Sequence, residues 1–292
     1  KESILNFEEQ SEKKFLGGVL AIANNISNFV KKVKIISFLG KQNNHYNFIR
    51  KNLNKNIVCD FLYKKFYPTM IKTKIVDSKN FNKFYGLYNF SENNFSENEK
   101  NKLKNKIKNS LKEYDLITVS DYGHNLIDKK ISNILKKQKK IIVNTQINSA
   151  NIGYHTISKY MGANCAIINE VELRHELKDK HSNIRNLIPK LSKKFKIKFL
   201  VVTVGKNGSY GYDIKKNNLY YCPAFAKEVV DRLGAGDAYL SVFSAVYALG
   251  IKDLRLLMLI ASLGTLEVIK GLGNSNSVNF KSLLKSIVYL IK

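Results

Sequence analysis

Short apolar runs alternate with amphipathic segments along most of this chain. The runs are rich in β-branched residues and bounded by polar ones, which is typical of strands. They are Val33–Leu39, Asp115–Ser120, Lys140–Asn144, Cys165–Ile168 and Phe199–Val204. Because their positions are apolar on both faces, they predict buried parallel strands, and the segments between them predict covering helices. The expected fold class is therefore α/β, with a doubly wound, mostly parallel sheet that binds ligands at the carboxyl ends of its strands.

Residues 57–90 follow a different pattern. They contain two extended stretches, Ile57–Tyr63 and Met70–Val76, which are linked near Pro68. We expect both stretches to form the strands of a small lid over the substrate site.

The segment VDRLGAGDAYLSVFS places three small residues and a carboxylate at the start of an amphipathic helix. These residues are Gly234, Ala235, Gly236 and Asp237, and they are called the GAGD segment below. Backbone N–H groups at a helix N-terminus lack intrahelical partners and attract anions where side chains are small. A carboxylate there would repel a phosphate, so it is better explained as a base for an attacking hydroxyl group. The alternative is an ordinary glycine-rich turn in which Asp237 is only an N-terminal helix residue.

Asp231-Arg-Leu-Gly-Ala-Gly-Asp237 resembles the signature of the ribokinase-like (PfkB) carbohydrate kinase family. Further elements similar to those of the family occur in the family's order. They are Gly17 to Asn25, with its glycine pair and final asparagine, Asn169-Glu-Val-Glu172, and Thr203-Val-Gly205-Lys-Asn-Gly208. The resemblance covers nearly the whole chain and implies one PfkB-type domain over residues 1–292, folded as a three-layer α/β/α sandwich with a mostly parallel central sheet and a small β lid.

The resemblance also implies a function and a set of site residues. The reaction would be phosphoryl transfer from ATP, assisted by Mg²⁺, to a hydroxyl of a sugar or sugar phosphate. Asp237 would be the base, and Gly234, Ala235 and Gly236 would complete the anion hole. The nucleotide side would comprise Asn169, Glu172, Thr203, Gly205, Gly208 and Asp231, with Asn169 and Glu172 reaching Mg²⁺ through water. The sugar side would comprise Gly17, Gly18, Asn25, Asp121 and His124.

Several of these residues have structural alternatives. Asn169 and Glu172 fit a helix capping box as well as a pair facing Mg²⁺ and phosphate. Gly205 and Gly208 could serve a hairpin turn. Asp121 could cap a helix, and a single loop histidine such as His124 is more often structural.

Within the family, the chain most resembles the heptose-phosphate kinase and ADP-heptose synthase branch. The resemblance lies in Ser120 to His124, Val143 to Asn151 and the tail Ala261 to Asn274. This resemblance implies that the chain could be the kinase half of a bifunctional activated-sugar synthase, with a nucleotidyltransferase domain or partner. A homodimer is also compatible with the resemblance. Family members open with a strand and a sugar-binding acid, so an opening strand is expected to be missing. That absence keeps a non-catalytic sugar or nucleotide sensor open as an alternative function.

Charge and hydropathy argue against a nucleic-acid-binding or membrane-spanning protein. The formal net charge is +26, but only five of the basic residues are arginine and the lysines are scattered, so we expect no specific nucleic-acid function. No 18-residue apolar run occurs, so no membrane span is expected. The three cysteines, Cys59, Cys165 and Cys222, are widely spaced and predict unpaired thiols in a reducing cytoplasm.

Overall fold

A computed structural model describes residues 8–79, 81–89, 95–138, 140–148, 151–152, 155–226 and 228–291. Its strands are β1 (Val33–Gln42), β2 (Ile57–Pro68), β3 (Ile71–Val76), β4 (Lys83–Asn89), β5 (Ile117–Asp121), β6 (Ile141–Thr145), β7 (Cys165–Asn169), β8 (Phe199–Thr203), β9 (Ser209–Asp213) and β10 (Asn218–Cys222). Its α-helices are α1 (Val19–Ser27), α2 (Tyr46–Asn52), α3 (Glu97–Ser110), α4 (Lys129–Leu135), α5 (Glu170–Leu177), α6 (Ile184–Phe195), α7 (Ala235–Ala248), α8 (Leu254–Val268) and α9 (Phe280–Ile291). Residues 149 and 150, which belong to the segment similar to the heptose branch, lie outside the described residues.

The main sheet has six strands in the order β10, β9, β8, β7, β6, β5. Strands β5 to β8 are parallel, whereas β9 and β10 are added in antiparallel pairings. All five runs that the sequence predicts as strands are strands, and the mostly parallel central sheet is confirmed. Within the described residues β1 pairs with β2 in a separate parallel pair and not with the main sheet.

Alternating residues of the central strands pack against helices on opposite faces of the sheet. Ile142 and Ile167 join one apolar cluster with residues of α7 and α8. Val143 and Ile168 join a second cluster with residues of α3, α4 and α6. Because both faces are covered, the strands are apolar throughout, as is typical of parallel sheets. The result is the expected three-layer arrangement with the carboxyl ends of β5 to β8 at one edge.

Of the two stretches predicted to be lid strands, the first, Ile57–Tyr63, has a different place in the structure. Residues 57–68 form β2, whose Ile57, Phe61 and Leu62 are buried and which pairs with β1 instead of with the lid. The second predicted stretch, Met70–Val76, contains β3, which pairs antiparallel with β4. This pair is called the lid hairpin below. Every residue of β4 is exposed, so the hydrophobic pattern could not separate this hairpin from a loop.

The chain before α1 carries no strand in residues 8–18, and residues 1–7 lie outside the described residues. Among the helices that the structure describes, none is both long and apolar enough to cross a bilayer. Cys59, Cys165 and Cys222 are free thiols, and Cys165 and Cys222 are buried.

Candidate active site

The GAGD segment begins α7 with exposed backbone donors. Gly234 is the N-cap and has φ +80°, and a Cβ there would lie 2.2 Å from Oδ1 of Asn274, so only glycine fits. The N–H of Ala235 donates to the carbonyl of Arg232 at 3.3 Å. The N–H groups of Gly236 and Asp237 have no acceptor among the described residues. These two N–H groups are therefore available to an anion at the positive end of the helix, whereas the N–H of Ala235, a residue of the predicted anion hole, is already paired.

The carboxylate of Asp237 lies beside these donors. Oδ1 accepts hydrogen bonds from the hydroxyl of Tyr122 at 3.3 Å and from Nε2 of Gln146 at 3.2 Å. Burial raises the pKa of Asp237 to about 6, although these two donors and Lys72 favour its charged form. A carboxylate with such a pKa is ionised near neutral pH and is basic enough to accept a proton from a hydroxyl group.

Gly18 lies against the same tyrosine. It has φ +53°, and a Cβ there would lie 3.1 Å from the hydroxyl oxygen of Tyr122. The neighbouring Gly17 faces open space. Gly18 is thus close to Tyr122, which itself contacts Asp237.

Lysines of the lid hairpin face this centre. The Nζ atom of Lys72 lies 5.7 Å from the ring centroid of Tyr122 and interacts electrostatically with Asp237. Lys74, two residues along β3 and so on the same face, interacts with Lys72, Lys83 and Asp231. Burial lowers the pKa of both Lys72 and Lys74, and for Lys74 the neighbouring Lys83 and Lys72 lower it further, although the nearby carboxylates oppose the shifts. The sequence analysis did not single out these lysines, although their period of two on a strand was visible.

Asp231 organises the loop that precedes α7. Its buried carboxylate accepts hydrogen bonds from the N–H of Leu233 at 3.0 Å and the N–H of Gly273 at 3.0 Å. It also forms an ion pair with Lys83 of the lid hairpin. Burial disfavours its charge, but these three donors outweigh burial and lower its pKa. Asp231 therefore joins the loop, the tail and the lid hairpin, and both its oxygens are occupied by protein donors.

Asp121 is at the end of β5, and protein groups likewise surround its side chain. It accepts from the hydroxyl of Tyr160 at 2.6 Å and from Nζ of Lys159 at 2.6 Å, and its own loop contributes the N–H of Gly123 at 3.1 Å. The Nε2–H of His155 donates to the Asp121 carbonyl at 2.9 Å. Only 4% of the residue is exposed, and its carboxylate is held by these donors at the margin of the cavity described below.

The two other sugar-side residues differ in their surroundings. Asn25 is buried, and its Oδ1 accepts a hydrogen bond from the N–H of Val278 at 3.0 Å, so it holds the C-terminal segment. His124 lines the cavity beside Asp237, and burial and the charge of Lys72 lower its pKa in spite of Asp121.

Asn169 and Glu172 form the capping box that the sequence left open as an alternative. The side chain of Asn169 accepts from the N–H of Glu172 at 2.9 Å, and Glu172 accepts from the N–H of Asn169 at 2.8 Å. The other carboxylate oxygen of Glu172 accepts from the N–H of Ile147 at 3.2 Å, and burial raises the pKa of Glu172 to about 7. Asn169 itself is exposed at the carboxyl end of β7.

This arrangement bears on the expected Mg²⁺. No group of three or more His, Cys, Asp or Glu side chains in the described residues could hold a metal ion. Mg²⁺ usually keeps several waters and is held by few protein ligands together with substrate phosphates. The exposed Asn169 fits an ion that the triphosphate carries and that the protein contacts through water.

The turn after Thr203 contains two glycines with different surroundings. Gly205 has φ +54° and faces open space. Gly208 has φ +82°, and a Cβ there would lie 2.1 Å from the carbonyl oxygen of Cys222. The turn joins β8 to the antiparallel β9, so the hairpin alternative is formed, and Gly208 is required by it. Gly205 leaves the surface after Thr203 clear for a ligand.

A cavity of about 2320 Å³ lies beside Asp237 and the predicted sugar-side residues Gly17 and Gly18. This part of the site is called the acceptor side below. Among the residues that line it are Gly17, Gly18, Lys72, Lys74, Asp121, Tyr122, His124, Gln146, Gly234 and Asp237. Tyr122, Gln146 and the lid lysines were missed as site residues in the sequence. Tyr122 and Gln146 lie inside segments that resemble the heptose branch, which is the signal that could have identified them.

A family model described as "pfkB family carbohydrate kinase" matches residues 2–262. The chain belongs to this family. The resemblance predicted from the motifs is thereby confirmed. Phosphofructokinase-2 from Escherichia coli has the same fold, with a TM-score of 0.75 at 15% identity over 94% of this chain and 88% of that one. Ribokinase from Thermotoga maritima has a TM-score of 0.69 at 17% identity over 92% of this chain and 84% of that one.

Curated relatives are named bifunctional protein HldE. One from Helicobacter pylori (strain Shi470) is 27% identical over 256 residues, which are 84% of this chain and 53% of that protein. One from a Nitratiruptor species is 26% identical over 267 residues, which are 90% of this chain and 55% of that protein. The chain therefore spans about half the length of these relatives.

Proposed function

We propose that this protein transfers the γ-phosphoryl group of ATP to a hydroxyl group of a sugar phosphate, with a heptose phosphate as the favoured acceptor. The observation that carries the proposal is the position of Asp237, a base with a raised pKa, beside the free N–H groups of Gly236 and Asp237. These groups meet the two needs of phosphoryl transfer, which are an activated hydroxyl and stabilisation of charge on the transferred group.

In this reaction the acceptor hydroxyl gives its proton to Asp237 as its oxygen attacks the γ-phosphorus. The bond between that phosphorus and the β–γ bridging oxygen breaks, and ADP leaves with the bonding electron pair. The N–H groups at the start of α7 stabilise the charge on the γ-phosphoryl oxygens. Mg²⁺ would offset repulsion between the phosphates, with Asn169 contacting it through water and Glu172 holding Asn169. The turn after Thr203 would accommodate the nucleotide at Gly205.

The preference for a sugar phosphate rests on the lid hairpin. Lys72 and Lys74 lie on one face of β3 beside the acceptor side of the cavity. Neither has a carboxylate within ion-pair distance among the described residues. A phosphate on the acceptor would pair with these lysines, whereas a neutral sugar would leave them unpaired next to each other.

The similarity to bifunctional relatives supports an extension of the proposal. If this chain corresponds to the half that it matches, its product is consumed by a nucleotidyl transfer that a further domain or a partner performs. A sugar carrying a new phosphate is the chemical form that such a reaction requires.

The test is a turnover assay with ATP and Mg²⁺ against sugars and sugar phosphates of five to seven carbons, with ³¹P and ¹³C NMR of the product. We expect phosphorylation of a sugar phosphate and little turnover of the matching neutral sugar. ATP binding without phosphorylation of any acceptor would favour the sensor alternative over the kinase.

A further inference from the structure

Both hydrogen bonds that the Asp237 side chain accepts reach the same carboxylate oxygen. The hydroxyl of Tyr122 and Nε2 of Gln146 donate to Oδ1 at 3.3 and 3.2 Å. The other oxygen, Oδ2, accepts from no group among the described residues, and it is not closed off from solvent. Since Asp237 lines the cavity, Oδ2 is the oxygen that an acceptor hydroxyl group can reach, whereas Oδ1 is the oxygen that the protein holds.

The two residues that hold Oδ1 directly follow adjacent parallel strands. β5 ends at Asp121 and β6 ends at Thr145, and these two residues are the last pair in the register of the strands. Beyond that pair, the N–H of Gln146 still donates to the carbonyl of Asp121 at 2.9 Å. The carbonyl groups of Tyr122 and Gln146 lie past the ladder and therefore need other donors.

A single carboxamide group supplies a donor to both carbonyls. Nδ2 of Asn151 donates to the carbonyl of Tyr122 at 2.9 Å and to the carbonyl of Gln146 at 3.0 Å. Oδ1 of Asn151 accepts from the N–H of Asn148 at 2.7 Å, and this contact fixes which end of the amide is the nitrogen. Nδ2 of Asn148 also donates to the carbonyl of Tyr122, at 3.1 Å. Asn151, which is 5% exposed, is the residue that joins the two loops to each other.

The close approach of Asn151 depends on Gly123 in the loop after β5. Gly123 has φ +71°, and a Cβ there would lie 2.4 Å from Nδ2 of Asn151. A larger residue would displace the carboxamide or strain the loop. The loop therefore has the shape that this hydrogen-bonding pattern requires.

We propose that Asn151 is a positioning residue for the base Asp237. By joining the loops that follow β5 and β6, it fixes the two side chains that hold Oδ1 and directs Oδ2 toward the acceptor hydroxyl group. Both hydrogens of its Nδ2 are used by the two carbonyls, so Asn151 acts through Tyr122 and Gln146 and not through the substrate. This inference rests on the proposed function, because it concerns how the base of that reaction is oriented.

The titration of Asp237 gives the first test, because it needs no turnover. Without the Asn151 carboxamide the two loops are no longer joined, which weakens both donors to the charged carboxylate and raises its pKa. We expect Asn151→Ala to move the ¹³C NMR titration midpoint of the Asp237 side chain upward by about 1 pH unit. Lys72, which also favours the charged form of Asp237, is present in every protein compared.

An unchanged midpoint in Asn151→Ala would overturn the proposal. A wild type without kinase activity would contradict the proposed function, but this titration would still decide the role of Asn151. If Asn151→Ala does not fold, Asn151→Ser takes its place, because one O–H group cannot serve two carbonyls.

A matched control separates positioning from a general loosening of the fold. Nδ2 of Asn56 likewise bridges two backbone carbonyls, those of Ser27 and Val30, at 2.9 and 3.1 Å, but Asn56 does not line the cavity. Asn56→Ala should therefore leave the Asp237 midpoint unchanged. Equal shifts in Asn56→Ala and Asn151→Ala would contradict a specific role for Asn151.

A protein without the two side-chain donors shows whether Asn151 acts through them. In Tyr122→Phe combined with Gln146→Leu, both donors to Oδ1 are gone. Adding Asn151→Ala to this protein should then move the Asp237 midpoint by less than ~0.3 pH unit, because changes that act through the same contacts are not additive. A further shift as large as the one in the wild-type background would refute the proposal.

Turnover gives the last test. Misplacement of a reacting group by about 1 Å can lower a rate on the order of 10²-fold. With the acceptor that the wild type phosphorylates, we expect Asn151→Ala to lower kcat by ~10- to 100-fold and to change the KM for ATP little. The rising limb of kcat/KM should move to higher pH by the same shift as the titration. An unchanged kcat, or a loss of kcat in which the limb stays at its wild-type pH, would overturn the proposal.

Discussion

Lys83 of the lid hairpin forms an ion pair with Asp231, three residues before the N-cap of α7. The side chain of Asp231 is 5% exposed and that of Lys83 is 37% exposed. This ion pair joins the lid hairpin to the loop that presents the GAGD segment, and we expect the position of one to affect the position of the other.

Loss of this ion pair should weaken acceptor binding more than it weakens the fold. In Lys83→Met, Asp231 keeps its two backbone donors, and the Lys83 side chain is 37% exposed, so we expect a loss of about 1 kcal/mol in the free energy of unfolding, the upper end of the scale for exposed ion pairs. The KM for the sugar phosphate should rise several-fold because the lid hairpin is no longer held. Lys79→Met, in the exposed turn of the same hairpin, is the control, and equal KM values in the two variants would contradict the coupling.

Replacement of Asp237 separates catalysis from binding. Asparagine has nearly the same shape but cannot accept the hydroxyl proton, so Asp237→Asn should lower turnover by at least ~10²-fold while ATP binding persists. Asp253→Asn, the same change at the N-cap of α8, is the control and should leave turnover unchanged. Turnover of Asp237→Asn at the wild-type rate would show that Asp237 is not the base.

Turnover by the wild type should decrease as the pH is lowered below neutrality. The pKa of Asp237 is raised to about 6, and only the ionised form can accept a proton, so kcat/KM should rise with pH through about 6 and then level off. Burial of this charge also costs stability above that pKa, so Asp237→Asn should melt at a higher temperature than wild type at about pH 8 and at a similar one at about pH 4. Melting curves at the two pH values test the sign.

Lys72 should discriminate phosphorylated from neutral acceptors. Its charge lies at the acceptor side of the cavity, and we expect Lys72→Met to raise the KM for a sugar phosphate by about 10- to 100-fold, the loss of one charge-assisted interaction of ~1.4–3 kcal/mol. The KM for ATP and the KM for a neutral sugar should change little. Equal effects on phosphorylated and neutral acceptors would remove the argument for a sugar phosphate.

The main sheet could be predicted from the sequence because each of its parallel strands is an apolar run with both faces buried. Asp121 and Asn169 directly follow two of the predicted runs, and they are the last residues of β5 and β7. The ends of the lid hairpin could not be predicted from the sequence, because every residue of β4 is exposed and no apolar pattern marks the strand. The register of β4 depends on its pairing with β3 rather than on burial.

The local geometry of a candidate residue could be predicted from the sequence where it depends on the backbone, but not where it depends on contacts with residues far away in the chain. Gly234 is dictated by its positive φ, which the motif already implies. By contrast, Tyr122 and Gln146 meet Asp237 across separations of 115 and 91 residues, which no local pattern reveals. Asn25 has the local pattern of a ligand residue, yet it contacts Val278 through a tertiary pairing.

The two glycines after Thr203 should respond in opposite ways to alanine. At Gly208 a Cβ would lie 2.1 Å from a backbone carbonyl, so Gly208→Ala should destabilise the fold by more than the ~1–3 kcal/mol of backbone strain at positive φ alone. At Gly205 the added methyl group meets open space, so Gly205→Ala should cost only that strain but raise the KM for ATP by reducing the room for the nucleotide. Gly162→Ala, at φ +85° in open space away from the site, reports the strain without the nucleotide effect. Melting temperatures and ATP titrations of the three variants decide the matter, and an ATP affinity for Gly205→Ala equal to that of Gly162→Ala would move the nucleotide away from this turn.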